Sequence, residues 1–258
     1  MAVDKLVDSA QLDADLTSVA DAIRLKSGGS SPLSFPAGFI SEIANIPAGG
    51  MPTDEWISGT GPAQDLYITA SSIRNGAWQN MQNVGRVVVE NTCSFQGNCQ
   101  NSSMTSFFSL AKITYAQACL QGNTSLLTFV SPNTACVARY QMLRNCTSLT
   151  AADWGANFGA GGFVEGCTNF GLLVLRNTNV QSCNAVANFA GTKFASGGAG
   201  GDIYIPKSLY DHLGDGTSSD YKHATNWSTL DGYGTITWHP IEGSYYETHY
   251  VDGTPISS

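Results

Sequence analysis

The chain has 258 residues, enough for one large domain or two smaller ones, and its 42% of hydrophobic residues suffice for a packed core. Only 12% are charged, about half the usual share, so the surface is built from Asn, Ser, Thr, Gln and Gly, as in β-rich, repetitive, secreted or virion-type proteins. A formal net charge of −8 with no run of Lys or Arg argues against nucleic acid, and no apolar stretch reaches the roughly 18 residues of a membrane span.

The opening MAVDKLVDSAQLDADL is acidic and lacks an apolar signal core, so the expectation is a protein made in a cytoplasm and not exported by the usual route. In SAQLDADLTSVADAIRLKSGG, residues Leu12, Leu16, Val19 and Ile23 fall on one helix face. Asp8 or Ser9 can cap this helix. Asp13 and Asp15 sit near its positive end, and Arg24 and Lys26 precede Gly28-Gly29. A second short helix is predicted over Pro36 to Ile46, with Phe35, Phe39, Ile43 and Ile46 as its apolar face, followed by a linker, PAGGMPTD. Two such helices bury too little to stand alone. Residues 1–50 are therefore read as a helical module that packs on itself and on a partner, through Leu12, Leu16, Val19, Ile23, Phe35, Phe39 and Ile43.

From there the chain repeats. The words NMQNV, QNSSM, GNTSL, NCTSL and GCTNF end at Val84, Met104, Leu126, Leu149 and Phe170, spaced by 20, 22, 23 and 21 residues. Three residues on stand Val87, Phe107, Phe129, Ala152 and Leu173. Five residues on stand Val89, Ser109, Ser131, Trp154 and Leu175. Such a period signals a solenoid, in which a coil that cannot bury its own apolar face buries it on its neighbours. Each coil is predicted to carry a short strand, a turn, a second buried segment and a polar corner. The corners stack Asn80, Gln100, Gly122, Asn145 and Gly166, with Cys146 and Cys167 at the position held elsewhere by Asn123 and Asn101. The coil from Phe170 to Phe194 departs from this pattern, and GGAGG at 197–201 reads as an insertion.

Two residues and four residues past each anchor the side chains face away from the coil interior. Phe108, Val130 and Val174 then form an apolar stripe, read as an interface between copies, with cover by the C-terminal segment of the same chain as the alternative. The C-terminal part, residues 206–258, is dense in aromatics: Trp227, Trp238, Tyr245, Tyr246 and Tyr250 among them. YGTITWHPIEGSYYETHYV alternates as a hairpin would. It serves either as a cap on the last coil or as a ligand-binding tip.

The words FVEGCTNF and LRNCTSL resemble the BspA-like leucine-rich repeats, and DIYIPKSLYDHL to NWSTL resembles the closing segment of such proteins. The resemblance covers about Leu66 to Leu230. The segment VDSAQLDADLTSVADAIRLKSGGSSPLSFPAGFISEIANI resembles the N-terminal segment of structural proteins from phages and prophages of Gram-positive bacteria, where it acts as an attachment segment. Together they imply a mainly β, leucine-rich-repeat-like solenoid of about 20–23-residue repeats over residues 51–205. A short N-terminal helical module precedes it and a C-terminal α/β cap closes it.

Enzymatic signatures are missing from the sequence. His212, His223, His239 and His249 have no metal spacing, there is no G-x-S-x-G elbow, and GAGGF and GGAGG lack the Lys-Ser/Thr of a phosphate loop. The acids of the repeat region, Glu90, Asp153 and Glu165, stand at different repeat offsets and do not line one strand face as a glycosidase pair would. The seven cysteines include no C-x-x-C pair; they are read as buried free thiols, ahead of zinc or a disulfide framework. The expectation is a non-enzymatic virion protein without cofactor. It would be a tail, baseplate or head fibre, homotrimeric and held to other virion proteins by its N-terminus. It would bind a host-surface glycan or protein, without nucleic acid or membrane insertion. A bacterial surface adhesin and a tail-spike depolymerase are the alternatives.

Overall fold

The structure, a computed structural model, describes residues 9–27, 32–40, 58–71, 73–138, 140–159, 161–225, 227–231, 236–244, 250–251 and 254–255. The chain divides into two compact units, Met1–Gly50 and Met51–Ser258.

In the first unit, helix α1 runs over Ser9–Ser27. Its buried side chains are Ala20 and Ile23, which pack with Phe39, while Leu16 and Leu33 lie partly buried against them. Leu16, Ala20 and Ile23 follow the i, i+4, i+7 spacing of one helix face. The apolar face expected from the sequence is thus rotated. Leu12 and Val19 are 45% and 49% exposed, while Ala20 joins the cluster with Ile23 and Phe39. Phe35 packs edge-on against Phe39 at 5.4 Å yet remains 64% exposed. A helical turn occupies 37–40. Ile43 and the rest of the second helix expected from the sequence lie outside the described residues.

The second unit is mainly β: a parallel β-solenoid of about five turns with few helices. Its first sheet contains β1 (Gln64–Ile68), β2 (Val84–Val89), β4 (Ser106–Ser109), β6 (Thr128–Ser131), β8 (Ala151–Trp154), β9 (Leu172–Leu175), β10 (Gly201–Ile205) and β11 (Ile236–Pro240), adjacent in that order and all parallel. A second parallel sheet contains β3 (Cys93–Phe95), β5 (Ile113–Tyr115) and β7 (Val137–Ala138). Helix α2 (Ala185–Asn188) lies between β9 and β10, and α3 (Lys207–Tyr210) and α4 (Trp227–Asp231) lie between β10 and β11. A separate antiparallel pair joins β12 (Tyr250–Val251) to β13 (Thr254–Pro255).

The stacking explains the recurring words. Val84, Met104, Leu126, Leu149 and Phe170 are all buried. Val87 lies beside Phe107, Phe107 beside Phe129, Phe129 beside Ala152, and Ala152 beside Leu173. Tyr115 and Phe95 reach across from the second sheet to meet Phe107 edge-on, so both sheets close on one aromatic interior. Burying each such ring contributes about 2–3 kcal/mol.

Each corner turns through left-handed backbone. Asn80, Asn101, Gly122, Asn145, Gly166 and Gly191 have φ of 60°, 52°, 75°, 60°, 76° and 72°. Asn and Gly are the residues that tolerate this region. The amide of each of Asn80, Asn101, Gly122 and Asn145 donates to a carbonyl of the next coil, at Gln100, Gln121, Arg144 and Glu165. The residue of the second corner is therefore Asn101, not Gln100: Asn101 carries the left-handed φ, and Asn80 N donates to the Gln100 carbonyl that precedes it. One place further on stand Ser102, Asn123, Cys146 and Cys167, so Ser102 rather than Asn101 shares the cysteine position. All four donate to a carbonyl of the preceding coil: Ser102 Oγ to Trp78, Asn123 Nδ2 to Cys99, Cys146 Sγ to Leu120 and Cys167 Sγ to Leu143.

The coils approach closely enough to require glycine at Gly155. A Cβ there would overlap the Pro132 carbonyl and stand 2.6 Å from the carbonyl carbon of Asn133, all backbone of the neighbouring coil. Gly155→Ala should lower stability by about 3 kcal/mol in urea melts, and an unchanged midpoint would show that the coils stand further apart. Gly201 is similarly pressed on the Gly171 backbone. The end of GGAGG thus lies against the preceding coil, with Asp202 beside Leu172. The returning arm of the hairpin or strand pair expected near Trp238, residues 245–249, lies outside the described residues. Residues 236–240 pair parallel with β10, since alternating residues suit a parallel strand with one face on the core equally well.

Candidate binding groove

The second sheet presents apolar–polar–apolar words in β3 and β5, with Val137 at the middle position in β7. Cys93, Phe95, Ile113 and Tyr115 point into the core and are buried. Ser94 faces out beside Thr114, and Thr114 beside Val137. Along this face runs an open groove of about 530 Å³. Asn75, Ser94, Gln96, Thr114, Gln117 and Tyr140 are among its ten lining residues, and none of the ten is an acid or a base. The main-chain oxygens of Gln96 and Gln117 are held by Gly76 N and Gly97 N, each at 2.9 Å. Their positions are therefore set by the corner ladder. Tyr140, 40% exposed, comes from the coil that follows β7. Sequence reasoning passed over this groove. Its signal was available in CSF at 93–95 and ITY at 113–115, two words at matching offsets from their anchors.

The opposite face of the solenoid is occupied. Val88, Phe108 and Val130 form a cluster apart from the main core, with Tyr67 against it. They do face away from the coil interior, yet Phe108, Val130 and Val174 are only 6%, 2% and 1% exposed. The stripe read as an interface between copies is buried within the chain itself, as parallel sheets are covered on both faces. Asp153 lies in the same row as Val130 and Val174. Its carboxylate accepts from Arg176 Nε at 2.9 Å and Nη2 at 2.6 Å. Burial pushes the Asp153 carboxyl up, and the guanidinium pulls it back. Removing one partner of a fully buried pair costs about 3–5 kcal/mol. Arg176 keeps some solvent contact, at 18% exposure. Asp153→Asn should therefore cost about 2 kcal/mol, measurable in urea melts; a loss near zero would show that the pair contributes nothing to folding.

The remaining acids and histidines are dispersed. Glu165 pairs with Arg144 at 3.2 Å, and Glu90 is exposed. His239 bonds Asp202 at 2.8 Å and stacks on Tyr204, His212 bonds Asp215 at 2.7 Å, and His223 is exposed. Among the described residues no group of three or more His, Cys, Asp or Glu is placed to hold a metal ion. No described helix is long and apolar enough to cross a membrane. All seven cysteines are free and buried.

The proposed aromatic tip is divided by the structure. Trp227 and Trp238 are buried and belong to the core. Trp227 packs on Phe158, Phe189 and Tyr221, and its indole N–H donates to Gln181 O at 2.7 Å. Trp238 stacks on Tyr221 at 5.5 Å. Tyr250 lies in β12, while Tyr245 and Tyr246 are outside the described residues. Comparison with known protein families, with curated proteins and with solved structures gave no match.

Proposed function

We propose that this chain is a non-enzymatic, fibre-like virion component, a tail, baseplate or head fibre, whose solenoid binds a ligand on the host surface. The observation that carries the binding part is the groove on the second sheet, whose described lining is uncharged and carries an exposed ring and polar side chains. Asp153 and Glu165, the repeat-region acids nearest to a catalytic pair, are each tied to an arginine, which favours a structural role for both. The virion part rests on the resemblance of the N-terminal segment. It is supported by Leu12, Val19, Phe35 and Ile40, large apolar side chains left exposed in the first unit and suited to attachment or to a homotrimer. In this reading the coils are BspA-like leucine-rich repeats of about 20–23 residues and the region after residue 205 is their cap.

Immunogold labelling of purified phage particles, with antibody to residues 54–258, tests the proposal. Gold at the tail tip assigns a tail fibre, and gold over the capsid assigns a head fibre. No gold on any particle overturns the virion reading and leaves a bacterial surface adhesin in its place.

A further inference from the structure

We propose that the groove along β3, β5 and β7 binds an uncharged oligosaccharide, a proposal that rests on reading the solenoid as a binding module. Three observations select this class of ligand. First, the protein carries a net charge of −8, yet among the described residues none that lines the groove is charged. A charged ligand would find no counter-ion among them, whereas a neutral one meets no desolvated charge. Second, the lining supplies hydroxyls and primary amides, which both donate and accept as sugar hydroxyls do. The side chains of Ser94, Gln96, Thr114 and Gln117 make no hydrogen bond to another described residue. Third, Tyr140 offers a half-exposed ring, and aromatic faces pack on the apolar faces of sugar rings.

The arrangement is periodic. Ser94 and Thr114 are register neighbours, and Gln96 and Gln117 follow them on successive coils. On these two coils equivalent groups therefore stand about 4.8 Å apart, the strand spacing, close to the length of one sugar unit in an extended chain. A peptide adding as a strand beyond β7 fits less well, because that edge of the second sheet is already continued by bridges from Val137 to Asn157 and from Tyr140 to Gly161. The occupant is thus a chain of neutral hexoses lying across the coils, its ring faces on Tyr140 and its hydroxyls on the Ser, Thr and Gln side chains.

The test uses the full chain in isothermal titration with cellohexaose, maltohexaose and mannohexaose, with hyaluronan hexasaccharide as the charged comparison. At least one neutral hexasaccharide should bind, and hyaluronan should not. Tyr140→Ala should weaken binding about tenfold, equivalent to about 1.4 kcal/mol, and Ser94→Trp, which fills the groove from an exposed strand position, should abolish it. Thermal melts of both variants establish that they fold. Failure of all three neutral sugars to bind, or binding that survives both substitutions, overturns the proposal. Sugar binding without gold on particles would remove the virion reading and leave the groove standing; gold without sugar binding would do the reverse.

Discussion

Raising the pH above about 9 should unfold the solenoid. Burial pushes the Cys93 thiol up to about 11 and the Cys183 thiol up to about 12, and it pushes Cys99, Cys119 and Cys146 upward as well. In the unfolded chain these thiols ionise near 8.5. Above that pH the unfolded state holds fewer protons than the native state, so stability falls as pH rises. Each thiol that remains protonated in the native state contributes a loss of about 1.4 kcal/mol per pH unit. Several thiols acting together approach the whole stability of a typical domain, about 5–15 kcal/mol, within one to two pH units. Burial raises the Tyr115 and Tyr221 phenols too, and they add to the loss above about pH 10. Urea melts in the presence of reductant should show a constant midpoint between about pH 7 and 8 and a steep decline beyond 9. A midpoint that stays level to about pH 10.5 would mean that the thiols are reached by solvent.

The second large effect is expected at Phe129. Its ring stacks on Phe107 at 5.2 Å and 17°, meets Tyr115 edge-on at 6.1 Å and tilts against Trp154 at 6.1 Å. It is fully buried and ties together coils from both directions. Phe129→Ala should cost about 4 kcal/mol, the transfer of the ring plus the cavity left behind. Phe129→Leu should cost about 1 kcal/mol, because the volume is largely kept. Each coil contacts only its neighbours, so the alanine variant should also split the unfolding transition, with the coils on either side of β6 melting separately. A single sharp transition with a small shift in both variants would show that the ring is not a shared element of the core.

How far the structure was legible in the sequence differs by region, for physical reasons. Val84, Met104, Leu126, Leu149 and Phe170 are visible as anchors because stacked coils place one apolar residue at each equivalent inward position. The corner was legible in kind but shifted at one coil, because GNCQNSS offers several polar residues and only the backbone shows that Asn101, not Gln100, carries the left-handed φ. The outward direction of Phe108, Val130 and Val174 follows from strand alternation. Their burial does not, since alternation says nothing about what covers a face. Trp227 and Trp238 were ambiguous for the same reason: an aromatic ring suits a core and a binding surface alike, and only the packing partners decide. The groove was least legible. Its side chains are the Ser, Thr, Asn and Gln that also dominate the rest of this surface, and their alignment appears only when the coils are stacked.

The central claim is that successive coils stack in parallel register, since the core, the corners and the groove all follow from it. Nitroxide labels at Ser94→Cys and Val137→Cys test it most directly. The native cysteines are buried and stay unlabelled, and both chosen positions are exposed. Thr114 lies between them in the sheet, so their backbones should stand about 10 Å apart, two strand spacings, and the spectrum of the double variant should be strongly broadened by dipolar coupling. A spectrum equal to the sum of the two singly labelled proteins would contradict the stacked solenoid and everything built on it.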